Sequence, residues 1–178
     1  MRIGITGSPR TGKTEAAKAL SSLLKCNFYD LNSLCIERNL GKSQGDEFVV
    51  NIRKARNAIS AFLRHQERFV ISGLLLPDIV PSRMLDQVAV LRCNPKILYE
   101  RYKKAGYSEE KAKDNVVAEA IGSVYSESVK AFGSKVFQVD VSNMNVNDVV
   151  DAILKRKNSE VDWLRDAEKD KELLRLLL

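Results

Sequence analysis

The chain has 178 residues, 44% of them hydrophobic and 29% charged, which suits one soluble globular domain and, with no run of 18 or so apolar residues and an amino terminus that shows no secretion signal, excludes a membrane-spanning or secreted reading. Three scattered cysteines (Cys26, Cys35 and Cys93), no C-x-x-C pair and a single histidine, His65, argue against a zinc site and fit a reducing cytoplasm. The net charge of +6 and pI near 9.2 favour anionic partners, nucleotides or RNA, but so modest a charge reads first as a solvated basic surface on a nucleotide-binding protein and only second as an RNA face.

Residues 2–6, RIGIT, form an apolar run of the kind found in buried parallel strands. A glycine-bearing loop follows, then KTEAAKALSSLLK (13–25), with Ala16, Ala17, Leu20, Leu23 and Leu24 on one helical face. Residues 27–31 suit a second strand, a helix is expected to about Asn39, and NLGKSQGDE reads as a polar loop. The spacing of Val49, Ile52, Ala55, Ile59 and Phe62 predicts a helix over 48–64, and FVISGLLL (69–76) a buried strand. A proline-bounded loop (77–81), a strand at 88–91 and a helix at 95–105 opened by Pro95 come next. Gly106 ends that helix, and Ser108, with Glu109 and Glu110 behind it, caps a long one to about Phe132. A strand at 135–141 and a helix at 145–156 close the pattern. Strands and helices alternate throughout, so the expected fold is α/β: a three-layer arrangement with a parallel sheet of about five strands and helices on both faces. Residues 1–157 form the expected domain. Residues 158–178 read as an appended helix whose apolar residues Trp163, Leu164, Ala167, Leu174, Leu177 and Leu178 pack on the core or on a second copy.

The loop 7–14 reads GSPRTGKT, the G-x-x-x-x-G-K-T spacing of a P-loop, here in its required context between a strand and a helix. Such a loop wraps phosphate in backbone N–H groups at a helix N-terminus, so ATP is the expected ligand and Gly7, Arg10, Thr11, Gly12, Lys13, Thr14 and Glu15 its expected binding residues. Lys13 would reach the β- and γ-phosphates, and Thr14 would offer its hydroxyl to Mg²⁺. Arg10, at the loop tip, either clamps a transferring phosphoryl group or lies in solvent.

The stretch LYERYKKAGYSEEKAKDNVVAEAIGSVYSES (98–128), with VLRCN (90–94) before it, resembles the lid region of the archaeal and nuclear type of adenylate kinases, the coilin-interacting nuclear ATPase group. Gly106, Tyr107, Lys111, Asn115 and Glu119 carry the match, which with the loop covers about residues 2–157. The resemblance implies the fold of a P-loop nucleoside monophosphate kinase. Residues 29–52 would close over the monophosphate and residues 104–114 would form the lid. It further implies ATP hydrolysis, and a role in small ribosomal subunit maturation through a ribosomal protein of the S11 type, with no membrane and no sequence-specific nucleic acid as partner. By position, Arg101 and Arg92 are the candidate phosphate-clamping arginines beside Lys13 and Arg10, each with an alternative as a solvent-facing residue.

Three departures from the pattern stand out. The family's strand ends Asp-x-His, the Asp helping to hold Mg²⁺; here Ser72 and Leu74 stand there, with Asp78 nearby as a candidate substitute. The lid arginine before Gly-Tyr is replaced by Ala105, leaving Lys103 or Lys104 as point charges. Arg10 replaces a loop glycine, and Ser33 an Asp of the monophosphate segment. The leading expectation is a nucleoside monophosphate kinase of the adenylate kinase type using Thr14 and Ser72 for the metal. An ATP-binding assembly factor with little kinase activity, or a kinase for another small phosphoacceptor, are the alternatives.

Overall fold

The computed structural model describes residues 1–178 with the exception of Asp46, which lies inside the expected monophosphate-binding segment. Its centre is a five-stranded, wholly parallel sheet of β1 (Arg2–Gly7), β2 (Asn27–Asp30), β5 (Phe69–Ser72), β6 (Gln87–Arg92) and β7 (Val136–Asp140), in the order β2-β5-β1-β6-β7. The inner strands β1, β5 and β6 are almost wholly buried because both faces are covered, whereas the edge strand β2 is not. Ile3, Ile5, Val70, Ala89, Leu91 and Val139 face one core, beneath α1 (Lys13–Leu24), α5 (Pro95–Lys104), α6 (Glu109–Ala120) and α8 (Val146–Leu154). Phe69, Ile71 and Val88 face the other, beneath α2 (Leu31–Glu37), α3 (Ile52–Leu63), α4 (Leu76–Ile79) and α7 (Ser123–Phe132). The expected α/β fold is therefore the observed one.

Four local expectations are corrected. Residues 39–51 are not a polar loop running into a helix: Gly41–Gln44 (β3) and Glu47–Val50 (β4) pair as an antiparallel hairpin. Burial alternates along β4, with Phe48 and Val50 against the core and Val49 outside, a period of two hidden inside an apparent helical spacing. Asn51 then caps α3, its side chain accepting from the Lys54 N–H. The strand at 69–76 stops at Ser72, and Leu76–Ile79 turns helical. The long helix to Phe132 is two helices, broken where Gly122 takes φ 69°, a conformation that only glycine adopts cheaply.

The fourth concerns residues 158–178, which form two short helices, α9 (Trp163–Ala167) and α10 (Lys171–Leu177), capped by Asp162 and Asp170. Trp163, Ala167 and Leu173 are buried, and Leu176 and Leu177 pack against the core under α5 and α6. Leu164, Leu174 and Leu178 stay exposed; one continuous helix through both pieces would have placed them otherwise. Lys96 of α5 pins α10 through Asp170 (2.6 Å) and Glu172 (3.0 Å). Among the described residues no helix is long and apolar enough to cross a membrane.

Candidate functional site

The carboxyl end of β1, paired beside that of β6, delivers the loop 8–12 to the N-terminus of α1, at the edge where open α/β sheets bind ligands. Gly7 is required there: a Cβ would stand 2.3 Å from the Leu91 carbonyl oxygen. Gly12, at φ 88°, is the N-cap of α1 and has no side chain to obstruct the approach of a ligand. Arg10 has φ 63°, a left-handed conformation that costs a side-chain-bearing residue about 1–2 kcal/mol. The neighbouring helix holds it in place. Arg101 Nη1 donates to the Arg10 carbonyl (3.0 Å) and the buried Tyr102 hydroxyl donates to the Pro9 carbonyl (3.0 Å). The Arg10 guanidinium lies 5.9 Å from the centroid of the Tyr107 ring.

Within the loop, the Ser8 carbonyl accepts from Thr11 Oγ1 (2.9 Å) and Lys13 Nζ (2.8 Å). Lys13 is thus folded over its own loop. Burial pushes its ammonium down to about 8, and the Glu119 and Asp30 carboxylates partly oppose that shift. Arg10, Thr11, Gly12, Lys13, Thr14 and Glu15 line one side of a cavity of about 590 Å³; Arg101, Lys104 and Ala105 line another, and Val141, Met144, Val146 and Val149 form an apolar wall. Of the residues singled out from sequence, Arg10, Arg101 and Lys104 are brought together with the loop. Arg10 and Ala105 line the same cavity, the first contributing a guanidinium and the second only a methyl group.

Ser72 ends β5, in register with Ile5 of β1 and Asp30 of β2. Two residues after Val70, it faces the α1 side of the sheet. Its hydroxyl is buried and has no hydrogen-bond partner among the described residues, whereas Thr14 is exposed at the start of α1. An orphaned hydroxyl aimed at the phosphate-loop side fits the water shell of a nucleotide-borne Mg²⁺. Asp78 lies elsewhere, exposed on α4 with its carbonyl bonded by Arg56. The Asp30 side chain caps α2, accepting from the Ser33 N–H (2.9 Å). A second, apolar cavity of about 250 Å³ opens beyond β5 among Leu31, Asn32, Cys35, Val50, Gly73 and Leu74.

Arg92 does not face the cavity. It is buried, with Nε 2.7 Å from Glu119 Oε1, Nη1 2.9 Å from Gln138 Oε1 and Nη2 2.7 Å from the Glu119 carbonyl. Glu119 also accepts from Ser8 Oγ (2.5 Å), the Cys93 N–H (3.1 Å) and Trp163 Nε1 (3.3 Å). Sequence reasoning matched Glu119 to a pattern but gave it no task, and passed over Ser8 and Tyr102. The missed signal was an acidic residue on the apolar stripe Ala112, Val116, Ala120 of α6, which has to be paired to be buried.

A phosphate loop on the central strand of a parallel sheet flanked by helices defines the P-loop kinase fold. Among solved structures the chain is similar to shikimate kinase from Bacteroides thetaiotaomicron (TM-score 0.62, 18% identity, 88% of this chain and 97% of that one). It is also similar to shikimate kinase from Acinetobacter baumannii (0.63, 13%, 87% and 91%). At such identities the likeness is one of fold. Residues 3–122 match a family model described as an AAA domain. The chain is 32% identical over 183 residues to a Pyrococcus furiosus protein named "Putative adenylate kinase", across 99% of this chain and 98% of that one. It is 30% identical to a Methanocaldococcus jannaschii protein of the same name, across 92% and 93%. The chain belongs to the adenylate-kinase-like family of P-loop proteins that these archaeal relatives represent.

Proposed function

We propose that the protein is an ATP-dependent nucleoside monophosphate kinase of the adenylate kinase type. The observation that carries this reading is the 590 Å³ cavity, which sets a phosphate loop, a cluster of cations and an apolar wall around one space. In this reading the backbone N–H groups of residues 7–14 hold the ATP phosphates, and Val141, Met144, Val146 and Val149 receive the base. Lys13, Arg10 and Arg101 neutralise charge on the transferring phosphoryl group, with Lys104 on the ATP phosphates and Glu15 at the rim. Phosphoryl transfer asks mainly for positioning, charge and exclusion of water. Thr14 and Ser72 would hold Mg²⁺, which when bound supplies positive charge at the β- and γ-phosphates.

The acceptor enters from the second cavity, under residues 29–52, while residues 104–114 close from the other side. The contact between Glu47 of β4 and Lys111 of α6 (2.5 Å) supports this assignment, since it joins the two segments across the site. The test is to incubate the protein with Mg-ATP, with and without AMP, and to resolve every nucleotide over time. Two ADP formed for each AMP consumed is the expected result.

The absence of a carboxylate at Ser72 and the apolar lining of the second cavity favour a second reading. In it, the chain is an ATP-hydrolysing assembly factor whose nucleotide state governs docking on an S11-type ribosomal protein. ADP formed at constant AMP would support that reading over the first.

A further inference from the structure

One chain of contacts runs from the phosphate loop to the last helices. Lys13 Nζ donates to the Ser8 carbonyl (2.8 Å). The hydroxyl of the same Ser8 donates to Glu119 Oε2 (2.5 Å). The other oxygen, Glu119 Oε1, accepts from Trp163 Nε1 (3.3 Å), as well as from Arg92 Nε and the Cys93 N–H. Ser8, Glu119, Arg92 and Trp163 are all buried, so water cannot take over a lost partner without cost. Arg92 alone would neutralise Glu119. The donors added from residue 8 and residue 163 make the carboxylate a link between two distant stretches of sequence.

We propose that Glu119 is a positioning residue that couples the phosphate loop to residues 158–178, so that nucleotide binding and docking of this C-terminal segment stabilise each other. The proposal rests on the reading of the loop as a nucleotide site. Phosphate draws Lys13 off the Ser8 carbonyl. Ser8 then resettles, and its hydroxyl carries the change to Glu119 and onward to the indole N–H. Coupling of this kind is reciprocal: whatever nucleotide does to the segment, the segment does to nucleotide affinity.

Trp163 is the only tryptophan and is not among the residues lining the 590 Å³ cavity, so its emission reports on the link and not on direct contact with ligand. The experiment titrates the full chain with Mg-ADP while following tryptophan emission excited at 295 nm, with affinity measured separately by calorimetry. In the wild type a saturable emission change is expected, with the same midpoint as the calorimetric curve. In Ser8→Ala, which keeps the loop's backbone N–H groups but cuts the same link, ADP should bind about as weakly as in Trp163→Phe and, at saturation, leave emission flat. In Trp163→Phe, which keeps a ring but loses the donor, ADP should bind about fivefold or more weaker.

Emission that responds equally in Ser8→Ala, or unchanged affinity in Trp163→Phe, overturns the coupling. Should either variant fail to fold by circular dichroism, hydrogen exchange of residues 163–177 in the wild type decides the matter. Slower exchange with Mg-ADP supports the link and identical exchange overturns it. A wild type that takes up no ADP by calorimetry overturns the nucleotide reading and the coupling together. One that binds ADP with neither an emission nor an exchange response overturns the coupling alone.

Discussion

Arg10 combines a strained backbone with a charge at the mouth of the cavity, and two substitutions separate these roles. Arg10→Gly should relieve the left-handed φ and leave the ligand-free protein as stable or about 1 kcal/mol more so in denaturant melts. Arg10→Ala keeps the strain. Both should slow phosphoryl transfer by about tenfold or more if the guanidinium stabilises developing charge. Equal turnover in all three proteins would place the side chain in solvent.

Lys13 gives a pH signature. Burial against the loop disfavours its charged form and lowers its pKa to about 8, well below the usual lysine value. The native state therefore releases this proton before the unfolded chain does, and stability contributed by this group rises as pH climbs from about 8 towards 10.5. Phosphate reverses the shift by favouring the charged form. Nucleotide binding at pH 8.5 should then take up a fraction of a proton, visible as different calorimetric heats in two buffers of unlike ionisation enthalpy. Lys13→Ala should abolish that difference, and wild-type affinity should weaken as pH rises above 8. Ser72→Asp tests the metal side. A buried carboxylate without a counter-ion should lower Tm in EDTA, and Mg-ADP should restore more Tm in this variant than in the wild type.

Among the elements, the break between α6 and α7 is set by one residue. Gly122 has φ 69°, and a Cβ there would lie 3.5 Å from Arg92 Nη1. Gly122→Ala should cost about 1–2 kcal/mol in a urea melt, while Ile121→Ala at the exposed, right-handed neighbour should cost much less. That glycine was visible in the sequence, yet an interior glycine is tolerated often enough in helices that composition did not force a break. Elements whose pattern had one interpretation were legible. The β1–loop–α1 unit has an apolar run, a fixed glycine spacing and a helical stripe, and all three lead to the same structure. The β3–β4 hairpin was not legible, because Phe48, Val49 and Val50 satisfy either period, and only packing of Phe48 and Val50 against the core chooses between them. Arg92 fell to the same difficulty: a strand-end arginine looks free until the helix carrying Glu119 is placed against it.

At the scale of the whole molecule, the sheet puts its phosphate loop on the central strand and its two cores on opposite faces. The buried Arg92–Glu119 pair joins β6, α6 and, through Gln138, β7 on the side where α9 docks. Arg92→Ala leaves a buried carboxylate unneutralised and should cost about 3–5 kcal/mol of global stability. Loss of the Arg92 side of the pair should be read as a drop in the urea midpoint.

Trp163 and Ser8 meet on one carboxylate although 154 residues of chain lie between them. On a translating ribosome Ser8 emerges early and Trp163 long after it. A nascent chain that has exposed residues 1–157 already owns every strand of the sheet, yet its Glu119 still lacks the indole donor. Competence to hold a nucleotide tightly would then arrive only once Trp163 has emerged and docked, and a chain arrested short of Trp163 would release ATP sooner than one that carries it.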